Sequence, residues 1–205
     1  MSQAATLTVF LISIVVYAAG ILVFRRRRAW LTYYVTAALG LALILIFGAR
    51  LVGISDKIEG AVTYTTSMLA PLVGVNARFL GQNAILVKDA LGWVVLETNI
   101  ECSALIESSI LIGLILYYPG FSKERKAATV GIGLIVTIIA NLMRMLIITW
   151  FAATMGRQAI FWGHAVVGRL FFFVVIIALY WYILTRPTVV IVGQNVESQG
   201  ANGTA

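Results

Sequence analysis

Residues 98–118 read "TNIECSALIESSILIGLILYY". The second half is an unbroken apolar run. The first half carries Glu101, Cys102 and Glu107. Read as the mouth and body of a membrane helix, this segment decides the fold, because four similar runs accompany it. Apolar stretches at 7–24, 30–47, 102–118, 129–151 and 164–185 approach the ~20 residues that cross ~30 Å of hydrocarbon. In lipid such segments satisfy their own backbone groups as helices. With 61% hydrophobic and 11% charged residues and a mean hydropathy of +0.98, the expected fold is an all-α polytopic membrane protein with about five transmembrane helices. One domain is expected over residues 1–186. The polar tail, 187–205, is expected to be cytoplasmic and disordered.

The basic residues predict how the chain sits. "RRRR" at 25–28 closes the first run, and Lys123, Arg125 and Lys126 precede the fourth. Basic clusters stay cytoplasmic, which puts the N-terminus outside and the C-terminus in the cytoplasm. On this topology the inner segments carry eight basic and two acidic residues, whereas the outer segments carry five of each. The net charge of +7 therefore reads as topology, and no nucleic-acid partner is expected. The expected location is the plasma (inner) membrane, multi-pass.

Residues 50–101 fit no span. The stretch 61–80, "AVTYTTSMLAPLVGVNARFL", is apolar but interrupted by Pro71, Gly74 and Asn76. It reads as a helix at the outer interface. Two β-prone runs, 85–87 and 93–97, are joined by "KDALG" and predict a small β-hairpin leading into Cys102.

Three side chains lie in the outer-leaflet zone of their helices in this topology and can share one cavity. Cys102, the only cysteine, opens the third span, and His164, the only histidine, opens the fifth. Arg144, in "NLMRM", lies about 10 Å below the outer end of the fourth. A thiol is nucleophilic as a thiolate, which a helix N-terminus and an imidazole favour. His164 can move the proton, and a guanidinium can hold a tetrahedral oxyanion where water is scarce. One Cys and one His make neither a disulfide nor a zinc site, and no metal or organic cofactor is indicated. Each type also has a plain reading: a small buried hydrophobe for Cys102, an interfacial side chain for His164, a structural ion pair for Arg144.

"ECSALIESS", "NLMRM" and "GHAVVGRLFFF", in that order, resemble the motifs of the exosortase/archaeosortase family. Its pattern has a Cys-Ser pair opening a helix, an Asn and an Arg three apart in the next, and a His with a Gly one turn later in another. Here these are Cys102-Ser103, Asn141 with Arg144, and His164 with Gly168. The resemblance implies catalytic Cys102, Arg144 and His164 in a membrane-embedded cysteine protease/transpeptidase. It would cleave C-terminal sorting signals of exported proteins: a short motif, a transmembrane helix and a basic tail. The thioester would pass to water or to an envelope acceptor, a lipid or glycan, and the active site would face the extracytoplasmic side. Ala104 stands where the family commonly has Gly, and the chain lacks the additional helices of long members.

The remaining buried charges need partners. Glu107 and Arg169 each lie five residues below Cys102 and His164, so a Glu107–Arg169 or Glu107–Arg144 pair is expected to orient the site. Asn141 is expected to hydrogen-bond across helices or to orient Arg144. Two other readings use the same residues. A non-enzymatic membrane assembly partner of envelope or exopolysaccharide machinery would need the charges only for helix association. A small transporter would need Arg144, Glu107 and Arg169 but not Cys102.

Overall fold

The computed structural model describes residues 3–89, 92–156 and 160–186. The tail at 187–205, expected to be disordered, lies outside the described residues. Helix α1 (Gln3–Arg26) and helix α2 (Trp30–Leu51) form an antiparallel pair. Helix α3 (Ile54–Leu69) follows and ends in a 3-10 turn, Ala70–Val73. Strands β1 (Ala77–Gly81), β2 (Ala84–Asp89) and β3 (Gly92–Glu97) come next. A 3-10 turn, Ile100–Cys102, leads to helix α4 (Leu105–Tyr117). Helix α5 (Lys123–Met155) has 33 residues. Helix α6 (Trp162–Thr185) is an α-helix flanked by π-helical turns, Trp162–Val167 and Trp181–Thr185.

Among the described residues four helices, α1, α2, α5 and α6, are long and apolar enough to cross a membrane. The fifth expected span, 102–118, is shorter than its apolar run. Helix α4 has 13 residues and reaches about 20 Å. Its start is delayed because Ile100–Cys102 forms a 3-10 turn and Ala104 adopts a left-handed conformation, φ +59°.

The helix expected over 61–80 is also corrected. Helix α3 begins earlier and stops at Leu69, before Pro71, and 77–81 is a strand. The expected hairpin is present as β2 and β3, paired antiparallel with Leu86 opposite Val95. Strand β1 adds to its other side, giving the order β1-β2-β3. One sheet face buries Ile85, Val87 and Val94, with Ala70, Val75 and Ala152 packed on Ile85 and Val87. Asn83 at the β1–β2 turn donates to Glu59 Oε2 of α3 at 2.7 Å, fixing the sheet to the helix beneath it.

Tight helix packing rests on small residues, as it does where lipid removes the hydrophobic drive between helices. Ala37, Ala38 and Ala42 are the buried residues of α2. A Cβ added to Gly113 of α4 would collide with the Ala38 carbonyl oxygen. Hydroxyls buried in the helices are satisfied locally: Thr137 Oγ donates to the Gly133 carbonyl at 2.8 Å and Thr149 Oγ to the Leu146 carbonyl at 2.9 Å. At the bundle end opposite the sheet, tyrosines tie three helices together. Tyr17 donates to the Ala37 carbonyl at 2.7 Å and contacts the Tyr117 hydroxyl at 3.0 Å, and Tyr34 donates to the Leu114 carbonyl at 3.0 Å. The basic ends of α1, α5 and α6 gather at that same end.

Gly113→Leu is expected to lower stability by about 1–3 kcal/mol, the usual cost of overpacking. Gly131→Leu, where an added Cβ meets nothing within 4 Å, should leave it unchanged. Thermal unfolding of both variants in detergent checks this, and equal midpoints would show that α2 and α4 do not pack as closely as described.

Candidate active site

The turn before α4 is built by local hydrogen bonds. Asn99 Oδ1 accepts from the Glu101 amide at 3.1 Å, and the Cys102 amide donates to the Asn99 carbonyl at 2.9 Å. The Ser103 hydroxyl donates to the Ile100 carbonyl at 2.8 Å and accepts from the Leu105 amide at 3.3 Å. Because the turn is not α-helical, the carbonyls of Glu101 and Cys102 face α5 instead of a following helical turn.

Helix α5 supplies the missing donors. Asn141 Nδ2 donates to the Cys102 carbonyl at 2.7 Å, and Arg144 Nη1 donates to the Glu101 carbonyl at 3.0 Å. Residues three apart share one helix face, so one face of α5 grips two successive carbonyls. Asn141 is 1% and Arg144 3% exposed. The Arg144 guanidinium lies 5.5 Å from the Phe172 ring centre, and Gly168 of α6 sits against its aliphatic stem. From Met155, the end of α5, Arg144 is about 16 Å down the axis, deeper than expected because the helix runs past Phe151.

Cys102 is buried among Val62, Met145 and Ile148. His164 is half-buried in the first π-helical turn of α6. Among the described residues no hydrogen bond joins Cys102 to His164, yet Arg144, Arg169 and Glu101 act electrostatically on both. The two therefore border one charged locus.

The expected pairing of Glu107 is not seen. Arg169 Nη2 instead meets Glu101 Oε2 at 3.5 Å, with both side chains more than half exposed. Glu101 at the exposed rim takes Arg169, while the Glu107 carboxylate keeps a buried oxygen. Glu107 Oε2 is buried without a hydrogen-bond partner, as are Arg144 Nε, Asn141 Oδ1 and Thr98 Oγ1. Glu107, Arg144, Glu101 and Arg169 line a cleft of about 440 Å³ between α4 and α6, closed on its apolar side by Ile106, Phe172, Phe173 and Ile176. Sequence reasoning passed over Asn99 and Phe172. The Asn99 cap was readable, since Asn two residues ahead of an acceptor-seeking amide forms such turns. No group of three or more His, Cys, Asp or Glu among the described residues could hold a metal ion.

The chain matches the family model of the transmembrane exosortases over residues 1–182. No curated protein and no solved structure matches it.

Two measurements probe this geometry. A left-handed Ala costs ~1–2 kcal/mol and Gly gives back ~0.5–1 kcal/mol in chain entropy. Ala104→Gly should therefore stabilise the protein by up to ~1 kcal/mol, read as a raised unfolding midpoint in detergent. For Cys102, 3% exposed, alkylation by a membrane-impermeant maleimide should be far slower than that of free cysteine at the same pH. A rate equal to that of free cysteine would contradict its burial among Val62, Met145 and Ile148.

Proposed function

The chain belongs to the transmembrane exosortase family, and from that premise we propose that it is a membrane-embedded cysteine protease/transpeptidase for C-terminal sorting signals of exported proteins. Cys102 is the nucleophile, Arg144 the oxyanion donor and His164 the acid/base. The observation that carries this reading is the grip of Asn141 and Arg144 on the two carbonyls of the Cys102 turn, with Arg144 Nε left as a buried donor without a partner. A buried, unused donor is costly; a developing oxyanion beside Cys102 would satisfy it.

The reaction runs as follows. His164 takes the thiol proton, and the Cys102 thiolate adds to the carbonyl carbon of the scissile bond. The negative oxygen rests on Arg144. Collapse breaks the C–N bond, and His164 gives its proton to the leaving amine. Water, or an amine on a lipid or glycan acceptor, then adds to the thioester and releases Cys102. In this reading the basic ends of α1, α5 and α6 lie in the cytoplasm and the sheet end of the bundle faces outward, in the plasma membrane.

A second reading, a non-enzymatic assembly partner, takes support from the burial of Cys102, 3% exposed, and from Arg144 already bonding backbone. The experiment that separates them follows an exported protein with a short motif, an apolar helix and a basic tail at its C-terminus. Its processing is read by gel mobility and by mass spectrometry of the new C-terminus. Cys102→Ala and His164→Ala should each reduce processing about 10³-fold or more. Arg144→Lys should lose comparably, because a point charge on a flexible stem cannot keep the planar fork. Full processing with Cys102→Ala would leave the assembly reading standing.

A further inference from the structure

The sheet has two edges, and they are built differently. On β1 the register shifts between Phe79 and Gly81, an irregularity of the kind that blunts an edge against pairing. Strand β3, "GWVVLE", has neither Lys nor Pro and pairs with β2 without a break from Gly92 to Glu97. Helices α3 and α5 pack on β1 and β2, leaving β3 as the outermost strand of the sheet.

The hydrogen-bond phase of β3 follows from its continuation. The Thr98 amide donates to the Asn83 carbonyl at 2.7 Å, so Thr98, Leu96 and Val94 direct their backbone groups toward β2. By alternation, Trp93, Val95 and Glu97 direct theirs to the open edge. Trp93 and Val95 are also 42% and 52% exposed, with the Arg78 guanidinium 5.8 Å from the Trp93 ring centre.

Resting on the function proposed above, the geometry points to strand addition: the extended segment just ahead of the substrate's membrane helix pairs with the open edge of β3. The direction follows from connectivity. An exported protein's chain passes from its outer domain through the motif into its helix. Strand β3 runs the same way, through the Cys102 turn into α4, so the added strand is parallel to β3. Cys102 follows the last residue of β3 by five positions. A peptide bond just beyond the added strand therefore arrives at the turn that α5 grips. The substrate helix then descends where the cleft between α4 and α6 presents Ile106, Phe172, Phe173 and Ile176. Backbone pairing supplies affinity with little demand on side chains.

The test uses a soluble reporter fused to the C-terminal motif, apolar helix and basic tail of an exported protein from the same cell. Binding is read in a Cys102→Ala chain, which needs no turnover. Val95→Cys then supplies the sole cysteine, and single cysteines are scanned through the reporter residues ahead of its helix. Strand addition gives disulfides at every second reporter position. Disulfides at every third or fourth position, none at all, or a Val95→Cys homodimer would overturn it. In a chain that keeps Cys102, Val95→Pro removes an amide that faces away from β2 and should slow processing about tenfold. Ala77→Pro, the same change at the opposite edge, should process at the parental rate. Processing by Val95→Pro at the parental rate would also overturn the pairing. Failure of the catalytic reading shows separately, as processing that survives Cys102→Ala, while the disulfide pattern still decides where the peptide lies.

Discussion

Two backbone carbonyls cannot be left bare inside a membrane bundle, and those of Glu101 and Cys102 would be, because the turn that bears them is not part of α4. An unsatisfied backbone group in such surroundings costs several kcal/mol. Asn141 and Arg144 remove that cost from one face of α5. The consequence spreads outward. Arg144 must be buried to reach the turn, so Gly168 has to leave room for its stem and Phe172 has to cover its face. The close approach of α2 to α4 through Ala38 and Gly113 fixes the other end of α4. The sheet, fixed by Asn83 to Glu59, sets the direction from which the chain enters the turn.

The charges obey the same constraint. A guanidinium this deep is expensive unless it is bonded, and its Nη1 is bonded to backbone rather than to a carboxylate. Glu101 is thereby free to meet Arg169 at the exposed rim, where an ion pair is worth little and opens readily. Glu107 keeps a buried oxygen without a partner. The locus thus combines one fixed cation with one loose pair.

Much of this was legible in the sequence, because hydropathy and basic clusters report lipid directly. The hairpin of β2 and β3 was readable from the β-prone runs 85–87 and 93–97 on either side of "KDALG". Strand β1 was not, since "ARFLG" continues an apolar stretch and becomes a strand only by pairing with β2, a long-range event. The start of α4 was misread for a local reason: "ECSALIESS" has no Gly or Pro to mark a break, and Ala104 takes a positive φ that its side chain disfavours. The position commonly Gly in the family is the one whose backbone wants Gly. Glu107 lacks its expected partner because Glu101 takes Arg169 at the rim. That Cys102 and Arg144 lie near one another was legible from depth along each span, and Asn141 was expected to bond across helices, but that the contacts run to carbonyls was not legible, because backbone acceptors leave no trace in residue identity.

Helix α4 is some 10 Å short of the hydrocarbon thickness. Its Tyr117 end is tied to α1 and faces α5 across the short 118–122 link, so the deficit falls at the Cys102 end. Around such a gap lipid tails bend inward or headgroups and water sink to meet the protein. The Cys102 turn then sits at the floor of a dimple in the bilayer, and the depth of that dimple depends on acyl-chain length. Membranes with thicker hydrocarbon would close over the turn, and thinner ones would bring it to the level of the lipid phosphates. Lipid composition thereby becomes a determinant of how much water can reach the turn.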